Sequence, residues 1–280
     1  MNVLDRLKTG YELTVRSLRV IEDNRKLMAY PILMLAVSAL VAPLFLVAII
    51  GGISPEAARA TFEQDNPGIV ALAGIFAAWL VFTFISTFFS TALVHASYTA
   101  FSGGEPDIGR SLHRAMESLG AIVVWSLIAA TVGLIMQRSD RESPGLTTLF
   151  SAAWAALTFF VIPVIALERT SVRGMFSRSA SIFRERWGES AVGIVGAGVV
   201  QFAISLVGAA LMAAAWFLLD IQIIVPFIAV VTATVGFLVS TTLNGVIKTA
   251  LYLYASEEYL PAELEDIDPD RLVRYRSGNI

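Results

Sequence analysis

The sequence predicts an all-α integral membrane protein with six transmembrane helices and amphipathic interfacial helices on the cytoplasmic side. The clearest evidence is the stretch from Ser190 to Ile247, whose 58 residues include one charged side chain, Asp220. A single helix of that length would measure roughly 87 Å, whereas the hydrocarbon core of a bilayer is about 30 Å thick. The stretch is therefore expected to cross a membrane, turn near Asp220 and cross back.

The composition of the whole chain supports this class. Hydrophobic residues make up 56% of the chain and charged residues 15%, whereas soluble domains have roughly 45–50% and about 25%. The net charge of −3 gives no reason to expect a nucleic-acid partner. The chain has no cysteine, which excludes disulfides, thiolate metal sites and cysteine nucleophiles.

Charge-poor runs define the predicted spans. We expect them at about 27–50, 68–101, 118–137, 143–167, 190–219 and 221–254. The runs follow one another so closely that they predict a single polytopic membrane domain over residues 1–257. An acidic cytoplasmic tail, residues 258–280, follows it.

The distribution of Lys and Arg predicts the orientation. Sixteen of the twenty lie in the N-terminal segment, the second and fourth loops and the C-terminal tail, and three lie in the other loops. Loops rich in Lys and Arg stay on the cytoplasmic side. We therefore expect both termini to be cytoplasmic and the protein to lie in the inner membrane of a prokaryotic cell.

Three basic segments, near residues 16–19, 110–114 and 178–182, precede the odd-numbered spans. Each is predicted to form a short amphipathic helix that lies in the membrane interface, where arginine side chains reach phosphate headgroups. Anionic lipid headgroups are therefore the expected partners of these segments. The candidate headgroup contacts are Arg16, Arg19, Arg110, Arg114, Arg173, Arg178 and Arg184.

The even-numbered spans share short motifs. The pattern W-x-x-x-T-F occurs at 79–84 and 154–159, and S-T-x-x-S/N occurs at 86–90 and 240–244. These motifs predict three repeated helix–hairpin units over about 1–101, 102–168 and 169–257. The alternative is that apolar helices share small and aromatic residues by chance.

At this point the chain resembles a known family. The segment from Gly10 to Val20, a first span that contains Pro31 and the run Phe159–Val164 are similar to an uncharacterised family of prokaryotic six-span proteins, domain of unknown function 6159. The segment from Arg178 to Glu189 also fits. The resemblance covers nearly the whole chain. It implies an integral membrane protein, and it supplies no catalytic residue, ligand or partner.

Polar and small residues recur at every fourth position on three predicted spans, so that each set keeps to one helix face. Polar residues inside spans are the usual functional candidates, and the three faces would form an interior groove if they converged. Hydroxylated and small residues are also what packed membrane helices use at their contacts, and Lys248 and His95 fit a role as anchors near the headgroups. Both interpretations stay open. The candidate groove residues are Thr83, Thr87, Thr91, His95, Gln201, Ser205, Ser240, Asn244 and Lys248.

No sequence motif indicates a chemical reaction. H-E-x-x-H, G-x-S-x-G, P-loop and Rossmann patterns do not occur in the sequence. We expect a non-catalytic scaffold, or a subunit that binds lipid or a membrane protein partner, without cofactor or metal. The alternative is a facilitator or transporter accessory for a small or lipid-like solute. A wet cavity lined by the polar faces would favour transport, and a dry packed interior would favour the scaffold.

Overall fold

The computed structural model describes residues 3–52, 69–142, 144–168, 170–187, 203–212, 214 and 224–257. These ranges are helical apart from short connections and contain no strand. A short 3₁₀ helix, Arg25–Met28, precedes the second α-helix. The α-helices are α1 Val3–Asp23, α2 Ala29–Gly52, α3 Ile69–Phe101, α4 Ile108–Glu117, α5 Leu119–Glu142, α6 Pro144–Thr158, α7 Val161–Leu167, α8 Val172–Trp187, α9 Ala203–Met212 and α10 Val225–Glu257.

Five segments of the described chain are long and apolar enough to cross a membrane, by length and composition. They are Arg25–Phe45, Ala73–Phe101, Leu119–Met136, Thr147–Leu167 and Val225–Ser256. They correspond to the first four predicted spans and to the sixth. The fifth predicted span, 190–219, lies largely outside the described residues, which include only α9 and Ala214 from it. The helical membrane class is confirmed, and the number of six spans stays a prediction.

Helix α3 occupies the centre of the bundle and contacts α2, α4, α5, α7 and α10. Glycines allow close packing at two of these contacts, because a missing side chain lets neighbouring helices approach. Gly133 of α5 faces the indole of Trp79. On α10, a Cβ added at Gly245 would lie 2.5 Å from Leu93 Cδ2. The interior at this level is therefore filled by the side chain of Leu93, which is 1% exposed.

Several helix ends meet at one end of the bundle, which we call the basic end: α2 and α5 begin there, and α3, α7 and α10 end there. The three basic helices α1, α4 and α8 connect to the same end. Three side-chain contacts join its elements: Lys26 Nζ to Glu105 Oε1 at 2.7 Å, Ser118 Oγ to the Ile165 carbonyl at 3.3 Å, and the Tyr252 hydroxyl to Glu168 Oε1 at 2.5 Å.

Two of the basic helices are separated from the spans that follow them by a change of backbone direction. Asn24 leaves helical geometry after α1, with φ −121° and ψ 62°. At α4 the Asp107 carboxylate accepts a hydrogen bond from the Arg110 N–H at 2.6 Å, which caps the first turn. Ser118 ends α4 with φ −97° and ψ 9°. Residues 188–202, which follow α8, lie outside the described part, so the threefold repeat stays a prediction.

Candidate functional site

The fourth predicted span is not one continuous helix. Helix α6 ends at Thr158, α7 begins at Val161, and Phe159 and Phe160 form a turn between them. Pro163 lies in the first turn of α7, where its missing N–H costs little. In an unbroken helix its ring would instead collide with the carbonyl of Phe159, four residues earlier. The sequence therefore carried a signal for the break, although 143–167 was predicted as one span.

Ser179 of α8 fits its hydroxyl into the break. The Ser179 Oγ donates a hydrogen bond to the Leu157 carbonyl at 2.7 Å and accepts one from the Phe160 N–H at 3.1 Å. Its side chain is 0% exposed. A break in a buried helix leaves backbone donors and acceptors without partners, at a large cost in hydrocarbon. One hydroxyl from a neighbouring helix satisfies one group of each kind.

Lys248 of α10 reaches the same break from the other side. Its Nζ lies 5.2 Å from the centroid of the Phe159 ring, which is the geometry of a cation–π contact. Phe159 also packs edge-on against Phe160, at 4.8 Å between ring centroids, and against Phe183 of α8, at 6.3 Å. The break is thus enclosed by an aromatic wall with one ammonium group on its face.

On the side of the site that faces the basic end, one carboxylate bonds to two neighbouring helices. Glu168, which ends α7, accepts hydrogen bonds at Oε1 from Arg178 Nε at 2.8 Å and from the Tyr252 hydroxyl at 2.5 Å. The contact joins α7, α8 and α10. Arg178 was predicted as a headgroup contact, and the structure pairs its guanidinium with Glu168 while the side chain stays 42% exposed.

The polar stripes are not gathered around one cavity within the described residues. On α3, Thr91 donates to the Thr87 carbonyl at 2.8 Å, and His95 Nδ1 lies 3.4 Å from Ser111 Oγ of α4. On α10, Ser240 donates to the Phe237 carbonyl of its own helix at 3.3 Å. These contacts are local to a helix or to one helix pair.

The remaining candidates of the stripes are scattered. Asn244 is exposed on α10, Ser205 is exposed on α9, and Gln201 lies outside the described residues. An open groove of about 570 Å³ runs along α3, and Thr83 is the one candidate that borders it. The other residues that line it are Ile75, Ala78, Trp79, Phe82 and Ser86.

The sequence analysis did not predict a role for the buried serines of the basic segments. Ser17, Ser111 and Ser179 each follow an arginine in the chain, and each is at most 1% exposed. The repeated Arg-Ser pair was the available signal. The charge of an arginine indicates a lipid headgroup as its partner, whereas the partner of a hydroxyl depends on which helix packs beside it.

The candidate headgroup contacts fall into two groups. Arg19, Arg110, Arg173 and Arg184 are exposed, and none forms an ion pair within the described part of the chain. The other three are engaged or partly buried: Arg114 pairs with Glu117 at 3.1 Å, Arg178 pairs with Glu168 at 2.8 Å, and Arg16 is half-buried.

At the basic end, a further ion pair joins the 3₁₀ helix before α2 to the connection between α3 and α4. The Lys26 ammonium donates a hydrogen bond to Glu105 and also attracts its charge, so that the pKa of the Glu105 carboxyl lies below its ordinary value. Glu105 therefore stays charged, and paired with Lys26, at a lower pH than an isolated glutamate would. Among the described residues, no three His, Asp or Glu side chains come together as possible metal ligands.

The described residues are helical apart from short connections and include five segments long and apolar enough to span a bilayer, which indicates a polytopic membrane protein. Residues 69–260, about two thirds of the chain, match the model of a family of unknown function, DUF6159, and the chain belongs to that family. No curated protein and no solved structure matches the chain. The match confirms the family over residues 69–260, and it brings no number of spans, ligand or reaction with it.

Proposed function

We propose that the protein is a non-catalytic scaffold of the inner membrane, or a partner-binding subunit there, whose basic end binds anionic lipid headgroups. The observation that supports this role is the set of four exposed arginines without an ion-pair partner in the described chain. They lie on all three helices of the basic end: Arg19 on α1, Arg110 on α4, and Arg173 and Arg184 on α8.

The packing of the interior also favours a scaffold. Three threonine hydroxyls on the spans, those of Thr91, Thr242 and Thr249, bond within their own helices. The side chain of Leu93 fills the contact at Gly245. A packed interior of this kind provides a rigid platform and offers little room for a solute to pass.

The alternative function, a facilitator or accessory for a lipid-like solute, is favoured by the groove along α3. Its volume of about 570 Å³ suits a small ligand, and its lining is apolar apart from the Thr83 and Ser86 hydroxyls and the Trp79 indole N–H. A test is the uptake of a fluorescent lipid analogue into vesicles containing the protein. Uptake that falls in a Thr83→Val, Ser86→Ala variant would favour this role over the scaffold.

The energy of headgroup binding is expected to be modest. Each cation near an anionic leaflet contributes about 1 kcal/mol, and the attraction fades within a Debye length of about 8 Å at physiological salt. The exposed carboxylates of Glu22 and Asp23 beside Arg19 offset part of the charge. Binding should therefore weaken clearly as salt is raised.

Replacing Arg173 and Arg184 with glutamine is expected to weaken retention of phosphatidylglycerol by roughly tenfold, because two unpaired cations are removed. Native mass spectrometry of protein released from mixed phosphatidylglycerol and phosphatidylcholine nanodiscs would measure it. Arg178 is left unchanged, since its loss would strip Glu168 of its ion-pair partner.

The matched control removes two cations that are already paired, Lys26 and Arg114, whose partners are Glu105 and Glu117. A Lys26→Gln, Arg114→Gln variant should retain phosphatidylglycerol better than the variant at Arg173 and Arg184. Equal retention by the parent and the latter variant would contradict the headgroup role.

The proposed topology has six spans, with the fifth at 190–219, and both termini in the cytoplasm. The excess of Lys and Arg on the N-terminal, second, fourth and C-terminal segments supports it. A fluorescent protein that folds only in the cytoplasm, fused after Ile280, is expected to fluoresce. Activity of a periplasm-specific phosphatase at the same position would contradict this orientation.

A further inference from the structure

The groove along α3 is lined by two hydroxyl groups that bond to no described residue. Thr83 and Ser86 both border the groove, and Ser86 is exposed within the span Ala73–Phe101. Neither hydroxyl forms a hydrogen bond within the part of the chain that the structure describes. A polar group at membrane depth is a candidate functional position, because hydrocarbon offers it no partner. The two hydroxyls therefore have bonding capacity left for a ligand.

Other threonines on the spans satisfy their hydroxyls locally. Thr91, Thr131 and Thr249 each donate to the carbonyl four residues earlier in their own helix, at 2.7–2.8 Å. Such a bond within the helix is a common arrangement for a threonine or serine inside a helix. Thr83 and Ser86 have carbonyls at the same spacing and do not bond to them. The groove thus differs from the described spans on which these threonines lie.

The hydroxyls lie at the level of the leaflet farther from the basic end. Helix α3 ends at Phe101 at the basic end, so that Ser86 and Thr83 lie about 22 Å and about 27 Å from it along the helix axis. The hydrocarbon core is about 30 Å thick, which places both hydroxyls a few Å inside its opposite boundary. Trp79, about 33 Å from Phe101, reaches that boundary, where tryptophan is enriched.

The rest of the groove is an apolar surface that neighbouring helices hold in place. Phe82 packs against Phe45 of α2, at 6.2 Å between ring centroids, and the indole of Trp79 faces Gly133 of α5. Ile75 and Trp79 nevertheless remain 36% exposed. None of the described residues that line the groove carries a charge. The groove is therefore preformed, uncharged and open, with the two hydroxyls as its polar groups beside the indole N–H.

A glycerophospholipid has the chemistry that complements this surface. Its ester carbonyls are uncharged hydrogen-bond acceptors at the boundary of the hydrocarbon core, and its acyl chains are apolar. Serine and threonine hydroxyls can donate to such carbonyls. A transmembrane helix of a partner fits less well, because its backbone carbonyls are already bonded within the helix.

We propose that the groove along α3 binds one diester glycerophospholipid of the leaflet opposite the basic end. Its ester carbonyls accept hydrogen bonds from the Thr83 and Ser86 hydroxyls, and an acyl chain lies along the groove. This inference rests on the alternative function in using the same groove, and it deepens that function by naming the class of ligand. It requires binding but no transport, and it does not depend on the exposed arginines.

The test compares two lipids that differ only in the ester carbonyls. The full-length protein is placed in nanodiscs with equal amounts of diester phosphatidylcholine and dialkyl phosphatidylcholine, which has ether linkages instead. Native mass spectrometry of the released protein distinguishes the retained lipids by mass. The parent protein is expected to retain the diester lipid about fivefold over the dialkyl lipid, because only the diester can accept the hydrogen bonds.

Two variants should lose this preference for different reasons. Thr83→Val combined with Ser86→Ala removes both donors and keeps the groove, whereas Ala78→Leu keeps both donors and extends a larger side chain into the groove. The matched control is Thr131→Val. Thr131 is exposed on α5, but its hydroxyl already bonds to the Leu127 carbonyl at 2.7 Å, so this variant should keep the preference.

Three results would overturn the site. They are equal retention of the two lipids by the parent, an unchanged preference in either groove variant, and a loss in Thr131→Val as large as in the groove variants. The internal comparison of two lipids in one nanodisc makes the ratio independent of how much lipid each variant retains in total.

The same measurement separates this inference from the proposed functions. The Arg173→Gln, Arg184→Gln variant should keep the preference, since the two lipids share one headgroup; its loss there would place the lipid at the basic end and overturn the site. A preference for the diester without uptake of the fluorescent lipid analogue would support the site and contradict transport. Equal retention of both lipids, with phosphatidylglycerol still dependent on the arginines, would overturn the site and leave the headgroup role standing.

Discussion

Replacing Gly245 with alanine is expected to destabilise the protein by about 1–3 kcal/mol, because the new methyl group overpacks the contact between α10 and α3. The added Cβ would lie 2.5 Å from Leu93 Cδ2 and 2.8 Å from Leu93 Cγ. Leu93 is 1% exposed, so its side chain has little free space into which to rotate. Unfolding of the detergent-solubilised protein, followed by helical circular dichroism against temperature or denaturing detergent, would measure the change.

A double-mutant cycle makes the Gly245 prediction specific. Leu93→Ala alone should cost about 2–5 kcal/mol, because it leaves a cavity. Combined with Gly245→Ala it should cost less than the sum of the two, since each change relieves the other. Gly120→Ala is the matched control, because a Cβ at Gly120 meets no atom within 4 Å. If Gly245→Ala proved as harmless as Gly120→Ala, the close contact would be wrong.

Replacing Ser179 with alanine is expected to cost about 1–3 kcal/mol for each backbone group that loses its partner, here one carbonyl and one N–H. The Leu157 carbonyl and the Phe160 N–H both bond to the Ser179 hydroxyl, at the break in the fourth span. The same unfolding measurement applies. A second readout is protease access near Phe159, which should rise if the break opens.

Ser181→Ala provides the control on the same helix. The Ser181 hydroxyl donates to the Arg178 carbonyl of α8 at 3.0 Å, so its loss leaves no group from another helix without a partner. Its effect should be within about 0.5 kcal/mol. Equal stability of the Ser179→Ala and Ser181→Ala proteins would show that the hydroxyl at 179 does not hold the break.

These two predictions concern positions that the sequence alone did not single out. Gly245 and Ser179 are unremarkable in a chain with 20 glycines and many serines. Pro163 was visible in the sequence, and proline disfavours a continuous helix, although helix α2 contains Pro43 without a break. Its consequence, a turn at Phe159 and Phe160 that a distant serine completes, required knowledge of which helix lies beside it.

For the basic residues, too, the sequence predicts one part of the result and only the packed structure shows the other. The sequence shows directly that the basic residues accumulate in particular segments. The helices that carry them lie at one end of the bundle. Which arginine is unpaired could not be predicted, because Arg178 pairs with Glu168, 10 residues away in the chain, and Glu168 also accepts a hydrogen bond from Tyr252, 84 residues away. Net charge is a property of a segment, whereas pairing is a property of the packed bundle.

The sequence by itself determined the membrane class, the helical architecture and the approximate limits of the described spans. The predicted third span, 118–137, lies within helix α5, Leu119–Glu142, apart from its first residue. The sequence determines these features because crossing a bilayer is a local requirement: about 20 apolar residues in a row, with their backbone bonded internally. The tertiary structure decided the break in the fourth span, the bonding of the polar stripes and the placement of Lys248 over the Phe159 ring. These depend on which side chains from distant parts of the chain meet, and hydropathy along a segment carries no information about its neighbours.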